Sequence, residues 1–383
     1  MANFLFVTKS QRNRGSYWRG WYLGTQLARM GHDFTLICPA EFGSLAIRRT
    51  DFSTGFRVIT LPRLTVKTIL PGIVLRTALA PFAYRTSKMD IVHVCAPAFP
   101  ETYAAASMAR LSGRPLVVDV DDWWGREPDG RRSAVESRLE DVLEHSSVSK
   151  ADSVIAASEM LRDKIQPHSR HEVKIIPNGI DVSDFEGFDF STCRKELLGR
   201  LELPDGSRIV IAAYDSNFRA IYNGLAAVFE NEMKNTHLLV AGLPPEHLAG
   251  KNMTRMPKLE RREWLRMIAG SDVVLMPMLD TVWERARFPI KLAEYMAAGR
   301  PIVSSSVGES RRIMAEAGYR DGRDGLFSDN TVESVFQSIR LVMDDPLKYE
   351  QLASTAKMYA ARTLSWETIA SDYLKTVGSL LGS

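Results

Sequence analysis

Short apolar runs recur along this chain, each followed by a polar loop and a helical pattern, and that alternation admits few folds. The first run reads as a strand over 4–8, followed by a loop over 9–16, a helix over 17–30 stopped by Gly31, and a strand over 33–38. Further strands are expected at 56–61, 90–94, 116–120, 153–156 and 173–176. A polar stretch rich in Asp, Ser and Gly over 181–191 breaks the rhythm, which resumes with strands at 208–213, 237–241, 273–276 and 301–304. Helices are expected near 222–232, 261–269 and 290–298, and the last segment, 365–381, sets Trp366, Ile369, Tyr373, Leu374 and Val377 on one helical face. The pattern predicts an α/β fold with parallel sheets covered on both faces.

At 383 residues the chain exceeds what one hydrophobic core usually serves, so two domains are expected, 1–183 and 184–365, joined through the polar stretch. The hydrophobic share of 45% and charged share of 25% belong to a water-soluble globular protein, and a net charge of +3 gives no ground for a nucleic-acid partner. Cys38, Cys95 and Cys193 are too scattered for a zinc site or a disulfide framework, which points to a reducing cytoplasm. No run of about 18 apolar residues is present, so no membrane span is expected. The segment 64–88 is apolar with Lys67, Arg76, Arg85 and Lys88 interspersed; it reads as a core-facing helix or as a peripheral contact with an anionic membrane.

In sheets of this kind ligands bind at the carboxyl ends of the strands, and two such domains facing each other make a cleft. Four stretches at strand ends carry candidate chemistry. In 285–303 Pro289 suits the first turn of a helix, Gly299 stops it and Pro301 leads into a strand. Free backbone N–H groups there can receive a diphosphate, with Arg287, Phe288 and Lys291 nearby and Glu294 placed to accept from ribose hydroxyls. An ordinary amphipathic helix with exposed charges is the plainer alternative. After the 208–213 strand, Asn217 and Arg219 precede a helix, where Arg219 can clamp phosphate or simply pair with Asp215.

The other two stretches lie in the first half. Arg12, Asn13, Arg14 and Gly15 lead into the first helix, and Gly15 permits close approach of a ligand, although a plain βα turn is the commoner reading of such a loop. Neither a dinucleotide fingerprint nor a P-loop is present. Asp119, Asp121 and Asp122 end a buried strand, where carboxylates can orient acceptor hydroxyls or act as base, and Trp123 and Trp124 can stack on a sugar or pack.

Several segments resemble retaining glycosyltransferases of the GT-B fold, most like family 4. They are Gly31-His32-Asp33, Asp90-Ile91-Val92-His93, residues 151–159, Ile176-Pro177-Asn178-Gly179-Ile180-Asp181, residues 271–277, and Phe288-Pro289-Ile290-Lys291-Leu292-Ala293-Glu294-Tyr295 through Val303. The resemblance implies two Rossmann-like domains facing a cleft, with 366–383 crossing back to the first. It also implies a nucleoside-diphosphate-sugar donor held by the second domain, Glu294 on the ribose, and the backbone of Arg287 and Phe288 near diphosphate or sugar. Arg219 matches the family's phosphate-binding arginine, and such enzymes generally need no metal or other cofactor. The chain departs from the pattern at Ala286, where the family often has a glutamate, at Asn223, where it has lysine, and at Asp121, where it has histidine.

The reading is a cytoplasmic hexosyltransferase, with a peripheral position at the inner membrane surface as the alternative, and with donor groups Gly15, Asn217, Arg219, Arg287, Phe288, Pro289, Lys291 and Glu294. Asp121, Asp122, Arg219 and Lys291 are the catalytic candidates. The acceptor is a hydroxyl of a saccharide, lipid-linked compound or small molecule. A non-hydrolysing nucleotide-sugar epimerase and a silent nucleotide-sugar-binding protein are the rivals. An epimerase would convert donor alone; a silent protein would bind without turnover.

Overall fold

The computed structural model describes residues 1–41, 43–44, 46–53, 55–63, 89–125, 133–320 and 324–381. The apolar segment 64–88 therefore lies outside the described residues. The chain divides into two compact units: Met1–Asn178, Ala286–Phe288 and Trp366–Ser383 in the first, Gly179–Arg285 and Pro289–Ser365 in the second. The short stretch Ala286–Phe288, placed in the second domain by sequence, packs with the first unit.

Unit 1 is built on strands β1 (Asn3–Thr8), β2 (Asp33–Pro39), β3 (Arg48–Ser53), β4 (Phe56–Leu61), β5 (Ile91–Cys95), β6 (Leu116–Val120), β7 (Ser153–Ala156) and β8 (Lys174–Ile175), in the spatial order β3-β4-β2-β1-β5-β6-β7-β8. Every pairing is parallel except that of β3 with β4. Sequence reading missed β3 because all six of its residues are exposed, so it has no apolar run to read. Helices α1 (Ser16–Arg29), α2 (Pro100–Leu111), α3 (Ala134–Lys150) and α4 (Glu159–Ile165) alternate with these strands among the described residues.

Helix α1 lies close on the sheet because it carries glycine where a side chain would not fit. A Cβ on Gly20 would sit 2.7 Å from the Phe6 ring, and one on Gly24 2.4 Å from Phe34.

Unit 2 begins with α5 (Phe190–Arg200) and holds β9 (Arg208–Ala213), α6 (Arg219–Glu232), β10 (Thr236–Ala241), β11 (Met253–Met256), α7 (Arg261–Gly270) and β12 (Val273–Met276). It continues through α8 (Val282–Ala286), α9 (Ile290–Ala298), β13 (Ile302–Ser305), α10 (Gly308–Glu316), β14 (Phe327–Ser328), α11 (Val332–Asp344) and α12 (Pro346–Thr363). Its sheet is wholly parallel in the order β11-β10-β9-β12-β13-β14. Strands β11 and β14 were not anticipated: β11 buries only its last residue and β14 spans two.

The final helix, α13 (Trp366–Val377), belongs to unit 1, where Trp366, Ile369, Ala370, Tyr373 and Val377 join the same core as Phe4, Phe6 and Phe34. The indole of Trp366 stacks on Tyr22 of α1 with centroids 5.6 Å apart. The apolar face read from the sequence is the face that docks, and it explains why a chain end so far from β1 is ordered against it.

Candidate functional site

In both sheets the chain starts in the middle, builds outward to one side, and then returns to build the other side. The turnaround falls between β1 and β5 in unit 1 and between β9 and β12 in unit 2. Loops from the carboxyl ends of such a strand pair leave in opposite directions and open a crevice, the usual ligand position in doubly wound sheets.

At the unit 2 crevice, the loop after β9 makes one 3₁₀ turn over Ser216–Phe218 and enters α6 at Arg219. The Asp215 side chain caps that turn, accepting from the Asn217 N–H at 2.9 Å, so Asp215 is occupied with backbone. Arg219 instead reaches His247, its Nη1 3.0 Å from the ring Nε2, an arrangement that requires the lone pair of a neutral imidazole there. The loop after β12 leads through α8 to α9, whose N-cap is Pro289 and whose C-cap is Gly299 in the left-handed conformation at φ 70°. The Leu292 N–H donates to the Pro289 carbonyl at 2.9 Å, the N–H groups of Ile290 and Lys291 before it have no acceptor within the helix, and Lys291 stands exposed in the first turn.

Glu294, one turn further, is 6% exposed. Its carboxylate accepts from Arg261 at the start of α7, and the same guanidinium donates to Asp184 at 2.8 and 3.0 Å. Arg261 and His247 are the two neighbours of this region that sequence reading did not find. Both lie far along the chain from the groups they meet, His247 28 residues from Arg219 and Arg261 33 residues from Glu294, so spacing carries no sign of them.

The unit 1 crevice is lined by the loops after β1, β5 and β6. Gly15 caps α1 at φ 50°, and a Cβ on it would lie 2.9 Å from the Ser10 hydroxyl oxygen, which accepts from the Ser16 N–H at 3.1 Å. Lys9 lays its ammonium over the rings of Trp124 and Phe99, 3.5 and 3.9 Å from their centroids. Trp124 is thus packed, 7% exposed, and Trp123 has the Lys164 ammonium 4.9 Å from its ring centroid.

The three aspartates read as one group separate in the structure. Asp119 lies inside β6 at 0% exposure, sealed from any ligand. Its carboxylate accepts from Arg19 at 2.6 and 3.2 Å and from His93 at 3.0 Å, and His93 meets the Tyr373 hydroxyl at 3.0 Å. Burial alone would push the Asp119 carboxyl up, but the Arg19 charge and the His93 hydrogen bond hold it below its ordinary value. Since an ionised Asp119 only accepts, His93 carries its proton on Nε2, and its Nδ1 accepts from Tyr373. Burial lowers the His93 pKa, in keeping with a neutral ring. Arg19 also donates to the carbonyls of Ile176 and Pro177 at 2.8 and 3.0 Å and to the Asn178 side chain at 3.0 Å.

Asp121 stands beyond the strand end, where burial first and the Asp119 charge second push its carboxyl up to about 6 against a hydrogen bond from Ser16. Its Oδ1 is shielded from solvent and has no hydrogen-bond partner among the described residues. Asp122 is one-quarter exposed and lies 3.7 Å from the Arg287 guanidinium. Phe288, beside Arg287, is buried. Among the described residues no group of three or more His, Cys, Asp and Glu side chains is placed to hold a metal ion. No helix among them is long and apolar enough to cross a membrane.

Two helix-flanked, mainly parallel sheets, each with a turnaround crevice, give the α/β architecture of the GT-B fold. Comparison with known proteins agrees in both halves. Residues 21–184 match the family model described as Glycosyltransferase Family 4, and residues 199–345 match the model described as Glycosyl transferases group 1. A Mycobacterium tuberculosis protein named glycogen synthase is 25% identical over 374 residues, covering 91% of this chain and 87% of its own. Among solved structures, sucrose-phosphate synthase from Thermosynechococcus elongatus superposes with a TM-score of 0.73 at 14% identity, covering 99% of both chains. The Anabaena protein HepE in complex with UDP gives 0.68 at 14% identity, covering 98% of this chain and 100% of that one. The chain is a nucleotide-sugar-dependent glycosyltransferase of the GT-B fold.

Proposed function

We propose that the enzyme transfers a hexose from a nucleoside-diphosphate sugar to an acceptor hydroxyl with retention of anomeric configuration, and that unit 2 holds the donor. What supports this reading is that β9 and β12 are neighbours at the turnaround, that the chain after β9 enters α6 at Arg219, and that the chain after β12 leads to α9, which carries Lys291 in its first turn and the buried Glu294. A diphosphate at the α9 start would meet the N–H groups of Ile290 and Lys291, which the helix leaves without an acceptor, and the positive end of the helix dipole. One turn along the same helix, Glu294 is at the distance of a ribose whose hydroxyls it can accept from. HepE was solved with UDP, and its likeness to this chain spans both units, which supports the same kind of ligand here.

As the bond from the anomeric carbon to the diphosphate oxygen breaks, negative charge grows on the departing phosphate and positive charge on the sugar ring. Arg219, Lys291 and the helix start stabilise the first by charges already in place, with Asn217 and Pro289 shaping the loops around them. In this reading they supply the positive charge, and no metal or other cofactor takes part. Asp121 and Asp122 orient the acceptor hydroxyl, and Asp121, poised near neutrality, receives its proton.

Slow hydrolysis of the donor in the absence of acceptor gives a direct test. NMR of the freshly released sugar should show the donor's own anomer first. Initial release of the opposite anomer contradicts retention, and conversion of the donor into an isomeric nucleotide sugar contradicts transferase chemistry altogether.

A further inference from the structure

The polar stretch over 181–191 carries three phenylalanines, Phe185, Phe188 and Phe190, that no linker requires. All three line a pocket of about 200 Å³ within unit 2. Arg300, just past the end of α9, lays its guanidinium 4.1 Å from the Phe190 ring centroid, with its Nε donating to the Gly299 carbonyl at 2.7 Å. Arg262 and Arg266 lie 5.4 and 5.3 Å from the centroid of Phe188 and help fix that ring. Glu350 and Lys357, seven residues apart and so on one face of α12, complete the polar wall. The floor is the bare end of α9: a Cβ on Gly299 would come within 3.1 Å of the Lys357 stem.

The chemistry of this lining selects its ligand. Aromatic faces beside planar charged groups suit a ring with one apolar face and a rim of hydroxyls, which both accept from Arg and Lys and donate to Glu. A free anion is disfavoured, because the ends of α7 and α9 that reach the pocket, at Ala269 and Ala298, are the negative ends of their dipoles, and Glu350 offsets one of the two cations. The volume is below the roughly 300–1,000 Å³ of sites for drug-sized ligands, room for one sugar ring and not for a nucleotide.

We propose that unit 2 carries a second, saccharide-binding site at the end of α9 opposite Lys291, formed by Phe185, Phe188, Phe190, Arg300, Glu350 and Lys357. The helix has nine residues, so this site is about 13 Å along its axis from the proposed diphosphate position. It holds one ring of a saccharide acceptor or product away from the reaction centre, and so rests on the reading of the enzyme as one that elongates or decorates a saccharide.

The test uses the full chain and ligand-observed NMR with the methyl pyranosides of glucose, galactose, mannose and N-acetylglucosamine, alongside UDP and ADP. At least one pyranoside should bind, and Phe188→Ala and Phe190→Ala should each weaken it at least tenfold while nucleotide binding is unchanged. Glu350→Gln, an exposed position whose change leaves the packing intact, should weaken it too and serves if a phenylalanine variant does not fold. Absence of pyranoside binding overturns the proposal. So does binding indifferent to all the substitutions, or tighter binding of glucose 6-phosphate than of methyl glucoside. Nucleotide binding by the same samples reads the donor site separately, so the two readings fail independently.

Discussion

Arg261 and Glu294 join two helices, the guanidinium at the first residue of α7 donating to a carboxylate that is almost fully buried midway along α9. The pair has a reason beyond packing, since Glu294 without a partner would be a desolvated charge. Arg261→Met should therefore lower stability by about 1–2 kcal/mol, less than for a fully buried pair because the arginine is 44% exposed. Urea unfolding measures this. Nucleotide affinity should fall as well, because the carboxylate loses the group that orients it.

Arg219 and Lys291 are proposed to face the departing diphosphate, whose negative charge grows as its bond to the sugar breaks. Arg219→Ala and Lys291→Ala should each reduce kcat about a hundredfold, with a smaller effect on KM, as measured by donor hydrolysis or transfer. Neither should shift the unfolding midpoint appreciably, since Lys291 is exposed and Arg219 bonds only a surface histidine among the contacts described.

Asp121 gives a pH signature whose sign follows from its raised pKa. The folded protein binds this proton more tightly than the unfolded chain, so the contribution of Asp121 to stability falls as pH rises between about 4 and 6, and stays low above that. A shift from 3.8 to about 6 corresponds to roughly 3 kcal/mol. Asp121→Asn should thus be more stable than the parent at pH 8, with the gain shrinking towards pH 4, while turnover drops. Equal stability of the two proteins at all pH values would remove Asp121 from its buried, charge-crowded setting.

The chain Arg19–Asp119–His93–Tyr373 ties α1, β6, β5 and α13 together inside unit 1. Asp119→Asn leaves the Arg19 charge buried without its counter-ion and should cost about 3–5 kcal/mol. Tyr373→Phe leaves His93 Nδ1 without a donor and should cost about 1–3 kcal/mol. Because the groups form one network, the double variant should be less destabilised than the sum of the singles, which urea titration of the four proteins reveals.

This network also marks what the sequence allows one to read. Asp119 in Leu-Val-Val-Asp-Val and His93 in Ile-Val-His-Val-Cys are charges inside otherwise apolar runs, and Arg19 interrupts the apolar face of a helix. Complementary charges in three buried elements are a legible sign of an internal network, yet proximity along the chain drew Asp119 into a group with Asp121 and Asp122 instead. Elements defined by local pattern were read closely: 290–298 was expected and found as a helix, and 116–120 and 208–213 as strands. Exposed β3 and two-residue β14 offered no pattern, and the partners of Arg219 and Glu294 are brought in by sheet order. What is local in the chain was visible; what the fold assembles from distant strands was not.

The most direct measurement is calorimetric titration of UDP, ADP and GDP into the parent protein and into Glu294→Ala. The parent should bind at least one of these nucleotides, and the variant should bind it at least tenfold more weakly while unfolding at a similar temperature. Undiminished affinity in a folded Glu294→Ala protein would contradict the placement of the donor on α9.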